Sequence, residues 1–342
     1  LEFGLFDRLT GTIEYFKKDS KDLLFDVSQP ASVGVTSIIQ NIGKVTNSGV
    51  EIELDYNAFK NKDWSVSVGA NATFVKNKIK NLPATMKENG YISGSKKWLE
   101  GKSIYEFWLR QWHGVDPQTG DGLYVADVSK YNQGNIGTGD GNITQSQFDE
   151  YKKTVVTIDG KELTNSYTYA KYDFSGSSIP DVYGGFNVRV SYKNFDLAAV
   201  FSYQLGGQIL DTNYATMMSM TEFGYAQSPD LLKAWKQAGD ITEVPRIDNS
   251  AAHTTNIGQS YSTRWLTSSD YLNLRSVTIG YQLPKTWLSK VMLKSARLNL
   301  TAENLFMLKA RQGLNPMANY SGVTYNEYMP SRNITLGLNV SF

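Results

Sequence analysis

The sequence predicts an all-β protein whose strands form an antiparallel transmembrane β-barrel. Three observations favour this fold class: apolar and polar residues alternate along many segments, short connections alternate with long ones, and aromatic residues flank the short connections. A period of two places the apolar side chains on one face of a strand. In a membrane barrel that face meets lipid, and the other face lines the interior.

Alternation is clearest in the last segment of the chain. One face of that segment carries only apolar side chains: Ile334, Leu336, Leu338, Val340 and Phe342. The same pattern predicts nine strands, at residues 1–6, 9–18, 47–58, 64–76, 183–192, 195–205, 271–283, 296–304 and 333–342. The apolar face changes parity between Leu274 and Val277, which predicts a β-bulge near Arg275-Ser276.

The connections between these strands differ greatly in length. Short ones lie near residues 7–8, 59–63, 193–194 and 284–295, and long ones near 19–46, 77–182, 206–270 and 305–332. Because short and long connections alternate strictly, the sequence favours a barrel with long extracellular loops over a β-sandwich, whose turns are similar at both ends. Aromatic residues flank the short turns, as in an interfacial girdle: Tyr56, Trp64, Tyr192, Phe195 and Tyr281.

An open sheet in lipid would leave unpaired backbone groups at both edges, each costing several kcal/mol. Bacterial single-chain barrels also close with an even number of strands. We therefore expect residues 1–342 to be the C-terminal portion of a larger barrel whose other strands lie upstream. A water-soluble β-sandwich that binds carbohydrate is the alternative.

Composition excludes several other functions. The chain has 34 basic and 33 acidic side chains and a net charge of +1, which offers no electrostatic footprint for nucleic acid. It has no cysteine, which excludes disulfides and thiolate metal sites. His113 and His253 lie far apart in polar surroundings, so we expect solvated loop histidines rather than a metal site.

Charged residues on the polar parity of the strands predict the inner wall of the barrel: Glu51, Glu53, Asp55, Arg189, Arg297 and Glu303. We expect the three acids at 51–55 to be paired with arginines on neighbouring strands. Their regular spacing along one strand is typical of a polar wall and not of a catalytic carboxylate pair. The sequence therefore predicts no enzyme, and a surface glycosidase is the weakest alternative.

The long loops are rich in tryptophan: Trp98, Trp108, Trp112, Trp235 and Trp265. These rings could stack on sugars, or they could pack the loops against one another or against a partner. Asp140-Gly141-Asn142 resembles a calcium loop but lacks the EF-hand spacing, so we expect no metal and no other cofactor. Ser228-Pro229-Asp230 predicts the start of a short helix through Lys236, a candidate lid or partner contact.

Several segments resemble SusC/RagA-type TonB-dependent transporters, in the same order along nearly the whole chain. They are the N-x-G-x-x-x-N-x-G-x-E run Asn41–Glu51, and also Gly114–Gly120, Ile179–Phe186, Arg264–Pro284, Glu303–Phe306 and Pro330–Phe342. At Gly313–Pro316 the chain departs from the family, which usually has an acidic residue before the proline.

This resemblance implies a barrel of about 22 strands, of which this chain would supply the last nine, with a plug and TonB box upstream. It further implies import of glycans, or else peptides, across the bacterial outer membrane of Bacteroidota, together with a SusD-like surface lipoprotein and a TonB complex. Phe342 resembles the terminal aromatic read by the barrel-assembly machinery. A TonB-dependent siderophore or cobalamin receptor is the nearest alternative.

Overall fold

The computed structural model describes residues 1–28, 32, 34, 37–139, 141–220, 224, 226–288 and 292–342. Its strands are β1 Glu2–Leu5, β2 Leu9–Ser28, β3 Ser37–Lys60, β4 Trp64–Asn81, β5 Tyr91–Ser93, β6 Lys96–Trp98, β7 Glu106–Arg110, β8 Trp112–Val115, β9 Gly122–Val125, β10 Val155–Ile158, β11 Lys161–Thr164, β12 Tyr172–Ser177, β13 Val182–Tyr192, β14 Phe195–Leu205, β15 Gln208–Leu210, β16 Leu266–Ser268, β17 Tyr271–Gln282, β18 Ser295–Glu303, β19 Met307–Lys309 and β20 Asn333–Ser341. The α-helices are α1 Gln145–Thr154, α2 Thr212–Met217, α3 Ala251–Ile257 and α4 Lys285–Leu288, with 3-10 turns at Ala84–Met86, Gln133–Asn135, Tyr167–Tyr169, Pro229–Lys233 and Thr263–Trp265. Within the described residues, no helix has the length and apolar character needed to cross a membrane.

One large antiparallel sheet contains all nine predicted strands. Its order is β1-β2-β3-β4-β13-β14-β17-β18-β20, and β19 pairs with the first residues of β17. In the described part of the chain, β1 and β20 are the two edges and do not pair with each other. The sheet is therefore an open section of a barrel, as the strand count predicted.

The hairpin of β2 and β3 is much longer than its sequence indicated. Residues 19–46 were expected to form a loop, but β2 continues to Ser28 and β3 begins at Ser37. Beyond Asp19 both faces of this hairpin carry polar residues, so the period-two signal disappears. Polar contacts support the extension, since the Thr46 hydroxyl donates to Asp19 at 2.7 Å and Lys44 pairs with Asp19 at 3.2 Å.

The register places the apolar side chains of all these strands on one face, because directly opposed residues share a face. One row across five strands runs through Val68, Val188, Ala199, Val277 and Ala302. The predicted β-bulge is confirmed: consecutive residues of β14 pair first with position 276 and then with 274, which leaves the arginine between them as the extra residue.

This apolar face is uncovered. Ile334 is 72% exposed and Leu336 is 75% exposed, although both lie within β20 on the apolar parity. In a β-sandwich these side chains would be buried against a second sheet. The β-sandwich interpretation is therefore wrong, and the face is the one that meets lipid in a barrel.

Aromatic rings cluster where the short turns lie. Trp64 and Tyr192, on paired strands, have ring centroids 4.3 Å apart, and Phe195 and Tyr281 are 4.4 Å apart. Both pairs lie on the apolar face at the same end of the sheet. This arrangement matches the expected interfacial girdle.

Much of the buried core lies in the long loops, and a smaller cluster of Val45, Ile79, Leu82 and Met86 joins the ends of β3 and β4 to the loop that follows. The loops form their own small sheets, β10-β11-β9-β8, β12-β7-β6-β5 and β15-β16. One apolar cluster includes Phe107, Leu109 and Leu210, which have no exposed surface. A second cluster gathers Tyr131, Tyr151 and Tyr169 around α1. The loops are thus a folded layer at one end of the sheet.

Candidate functional site

The polar face of the sheet carries every residue that the sequence assigned to the inner wall. Asp55 opposes Gly69, which opposes Asn187, and Glu303 opposes Ser276 in the same parity. The register places the other four predicted residues on this face too: Glu51, Glu53, Arg189 and Arg297.

One ion pair crosses a strand on this face. Arg297 on β18 reaches over β17 to Asp196 on β14, with Nη2 and Oδ2 2.6 Å apart. Gly280 lies between them, and a Cβ built there would be 2.3 Å from the Arg297 guanidinium and 2.6 Å from the Asp196 carboxylate. The missing side chain at position 280 therefore permits the pair.

The acids of β3 are not paired as expected. In the described residues, no salt bridge reaches Glu51, Glu53 or Asp55. Thr12 and Asn71 lie opposite Glu53, and the residue opposite Glu51 on β2 is another acid, Glu14. The expected pairing with arginines is wrong, because the strands beside β3 offer no arginine at these rows. The three carboxylates remain exposed along the polar face.

Three loop tryptophans use their indole N–H to hold the loops together. Trp98 donates to the Ile104 carbonyl at 3.1 Å, Trp235 to Pro117 at 2.9 Å, and Trp265 to Gln259 at 2.9 Å. Trp265 is 3% exposed and belongs to the apolar loop cluster. The structure therefore gives these rings a packing role, and contact with a sugar remains a prediction.

The other two tryptophans lie in aromatic groups with cations. Trp108 stacks on Tyr172 at 6.2 Å and meets the edge of Phe174 at 4.9 Å. Trp112 meets Tyr124 edge to face at 5.1 Å, and the Arg264 guanidinium lies 4.7 Å from its ring. Both tryptophans are half-buried, so part of each ring remains accessible.

Arg264 is a structural residue that sequence reasoning did not single out. Its guanidinium lies between the rings of Trp112 and Trp265 and donates to the Ile257 carbonyl at 3.0 Å. Burial lowers its pKa to about 10. The family-like Arg264–Leu266 run is the only sequence signal that could have found it.

Two extracellular loops are joined by a buried ion pair that the sequence did not predict. Arg311, in the last loop, contacts the carboxylate of Asp211, which is 4% exposed. Asp211 also caps α2 by accepting from the Tyr214 amide at 2.9 Å, and it accepts from the Thr324 hydroxyl at 3.2 Å. The aspartate thus connects the 206–270 loop to the 305–332 loop.

A polar cleft of about 620 Å³ opens between the 77–182 and 206–270 loops. Its wall includes Asp121, Asn165, Tyr167, Arg246 and His253. Arg246 pairs with Asp121 at 3.1 Å, and the His253 Nε2 lies 2.8 Å from the Arg246 carbonyl. His253 is 7% exposed, so its prediction as a solvated residue is wrong. The other histidine, at position 113, is exposed as expected.

The calcium-like segment is only partly described. Asp140 lies outside the described residues, and Gly141 has a positive φ of 84°. Across the residues that the structure does describe, no group of three histidine or acidic side chains could hold a metal ion.

The predicted short helix is a 3-10 turn at Pro229–Lys233. The Ser228 side chain caps it by accepting from the Asp230 amide at 3.2 Å, as the sequence indicated. The turn ends before Trp235, whose ring packs towards Gly120 in the neighbouring loop. Leu232 on this turn is 78% exposed.

Comparison with known proteins gives consistent matches. A family model described as TonB dependent receptor-like, beta-barrel matches residues 1–146. The TonB-dependent receptor P3 of Formosa agariphila is 28% identical over 361 residues, covering 100% of this chain and 33% of that protein. The TonB-dependent receptor SusC of Bacteroides thetaiotaomicron is 24% identical over 357 residues, covering 100% of this chain and 31% of SusC.

Solved structures agree on the fold. The RagAB peptide importer in its closed-closed state superimposes with a TM-score of 0.77 at 25% identity, covering 100% of this chain and 34% of that chain. The RagAB peptide transporter gives a TM-score of 0.75 at 24% identity, covering 98% of this chain and 34% of that one. The chain thus spans about a third of the length of the relatives it matches. With the uncovered apolar face, the polar face and the folded loop layer, these matches show part of an outer-membrane β-barrel that is similar to TonB-dependent receptors of the SusC/RagA type.

Proposed function

We propose that the protein containing this chain imports oligomeric nutrients across the outer membrane, using energy delivered by a TonB complex. The observation that carries the proposal is one continuous sheet with an uncovered apolar face and a charged polar face. Such a sheet is stable only where lipid meets one side and water the other. The folded loops at one end would then lie over the entrance.

Glycan oligosaccharides are the substrate class that the loops favour. The 620 Å³ cleft is lined by amide, hydroxyl and carboxylate groups beside the ring of Tyr167, a combination suited to sugar hydroxyls and ring faces. Peptides are the second candidate, because the superimposed RagAB structures are of a peptide importer.

We further propose that a SusD-like surface lipoprotein contacts the loops near the 229–233 turn. Three large apolar side chains stand exposed there: Leu232 is 78% exposed, Ile241 94% and Ile247 65%. Leu232 and Ile247 line a cleft whose wall also includes Pro229, Leu231 and Trp235. Exposed apolar patches on folded proteins commonly mark contacts with a partner.

The partner contact is tested by co-purification from outer membranes. Leu232→Asp together with Ile241→Asp should reduce recovery of the lipoprotein at least tenfold, while Met292→Asp should not. Met292 is also apolar and 89% exposed, but it lies in a short connection at the opposite end of the sheet. Equal recovery from the first variant and from wild type would rule out this surface.

Transport is tested by deleting the gene and restoring it on a plasmid. The restored strain should take up fluorescent oligosaccharides, and a protonophore should abolish the uptake. Three further arms use labelled peptides, iron-siderophore and cobalamin. Uptake confined to peptides would replace the glycan assignment, uptake confined to siderophore or cobalamin would overturn nutrient-oligomer import, and uptake that survives the protonophore would contradict energy coupling.

A further inference from the structure

A row of lysines follows the apolar belt on the outer face of the sheet. On β4 this face reads Trp64, Val66, Val68, Ala70, Ala72 and Phe74, and the next residue of the same parity is Lys76. Ten residues of strand span about 33 Å, which at the usual tilt of about 45° covers the roughly 25 Å apolar band of an outer-membrane barrel. Lys76 therefore lies where acyl chains give way to headgroups.

On the two neighbouring strands, the apolar residues of this face also end in the same cross-strand row. Lys76 opposes Ser48 on β3, and Ser48 opposes Lys17 on β2. One row below, Phe74 opposes Val50 and Val50 opposes Tyr15, so that row is still apolar. The apolar surface thus ends in the same cross-strand row on three strands, and lysines occupy two of the three positions in the next row.

A cleft of about 490 Å³ opens at this boundary. It exists because β13 pairs with β4 only as far as Thr73, whereas β4 continues to Asn81. Its lower wall holds the apolar side chains of Tyr15, Val50 and Phe74, and its upper wall holds Lys76 and Lys78. The cleft therefore joins an apolar floor to a cationic rim, both on the lipid-facing side.

The lysines at and beside this rim are not held in salt bridges. In the part of the chain that the structure describes, Lys17, Lys76 and Lys78 are exposed and make no salt bridge. Two acids lie near: Asp19 is already paired with Lys44, and Asp181 is exposed at the far wall of the cleft.

We propose that this cleft binds a phosphate-bearing lipid of the outer leaflet, with its phosphates between the lysines and an acyl chain along Tyr15, Val50 and Phe74. Lys17 and Lys76 are separated by two strand spacings, about 10 Å, so their flexible side chains can converge on one phosphate group. A lipid places apolar chain and anionic headgroup at adjoining depths, as the cleft does. Basic residues at a membrane surface attract anionic headgroups in the same way.

The test uses the full-length transporter in dodecyl maltoside and two probes, lipid A with both phosphates and dephosphorylated lipid A. Each lysine near an anionic surface contributes about fivefold in affinity, so Lys17→Gln with Lys76→Gln and Lys78→Gln should weaken binding of phosphorylated lipid A about 100-fold. The matched control replaces Lys60, Lys62 and Lys193 with Gln. These are also exposed lysines, but they lie at the short-turn end.

The control variant should bind phosphorylated lipid A as wild type does, and dephosphorylated lipid A should bind wild type and the cleft variant equally weakly. Unchanged binding by the cleft variant, or an equal loss in the control, would overturn the proposal. Inorganic phosphate is the third probe, and if it bound as tightly as lipid A and depended on the same lysines, the site would be one for free phosphate. Circular dichroism and heat-modifiable mobility on gels would establish that every variant is folded.

Discussion

Removing the arginine of the buried inter-loop ion pair should undock the last extracellular loop. Arg311→Met leaves the Asp211 carboxylate, which is 4% exposed, without its cation. Breaking a buried pair from one side costs about 3–5 kcal/mol. The aspartate keeps its contacts with the Tyr214 amide and the Thr324 hydroxyl, so we expect the low end, about 3 kcal/mol. That corresponds to an increase of about 100-fold in the population of the opened loop.

Hydrogen exchange measures this opening directly, because two backbone-to-backbone hydrogen bonds are among the contacts that join the loops. The Leu210 amide donates to the Gly322 carbonyl at 2.7 Å, and the Thr324 amide donates to the Leu210 carbonyl at 3.2 Å. Peptides covering residues 208–213 and 320–326 of the full-length protein should exchange about 100-fold faster in the variant, since exchange follows the open population. The matched control is Lys233→Met, which removes an exposed pair with Asp230 and should change exchange less than about fivefold. Similar exchange in both variants would refute the reasoning.

Three further predictions concern single residues. Gly280→Ala should lower the unfolding free energy by about 1 kcal/mol in wild type, because its Cβ displaces the Arg297–Asp196 pair. In an Arg297→Ala background, where that pair is already absent, the same substitution should cost much less. Thermal unfolding in detergent measures both costs, and equal costs would contradict this reasoning. Trp265→Ala should destabilise the loop layer by about 3–5 kcal/mol and so lower its resistance to protease. Tyr328→Ala, at a residue that is 95% exposed, should leave that resistance unchanged. Burial lowers the pKa of Lys96 to about 7 from 10.5, so its loop should gain stability as pH rises from 7 towards 10.5. Proteolytic cleavage within residues 91–110 should therefore fall by up to about tenfold per pH unit. The Lys96→Met variant should be cleaved equally at pH 7 and pH 9 once protease activity is corrected with a reference peptide.

The sequence predicted the sheet well where one face meets lipid and the other meets water. On β4, from Trp64 to Phe74, this difference forces strict alternation, and the observed strand begins at the predicted residue. Beyond Lys76 the same strand has polar residues on both faces, and its last five residues were missed. The β2–β3 hairpin was underestimated by ten residues on each strand for the same reason, since β2 extends from position 18 to 28 and β3 begins at 37 instead of 47.

The loops were harder to predict because composition does not distinguish an exposed ring from a buried one. Trp265 and Trp108 have equal standing in the sequence, yet one lies in the loop core and the other is half-buried beside Tyr172. The Asp211–Arg311 pair joins residues 100 positions apart, and no local pattern links them. Such pairings depend on how the loops dock, which is a property of the tertiary fold.

The sheet and the loop layer draw their stability from different sources, and this shapes how the loops can move. The sheet depends on lipid at its uncovered face, whereas the loops carry their own apolar clusters. Where the strands end, Asn77 accepts from the Ser103 hydroxyl at 3.0 Å and from the Ile104 amide at 2.9 Å, and Gln204 donates to the Ser269 hydroxyl at 2.7 Å. At the first of these junctions an apolar cluster that includes Ile79 and Leu82 also joins sheet and loop. Each net hydrogen bond contributes only about 1 kcal/mol, whereas opening an apolar cluster costs several. A loop that moves to admit substrate would therefore pivot as a folded unit where polar contacts hold it, as at Gln204 and Ser269, keeping its own core intact.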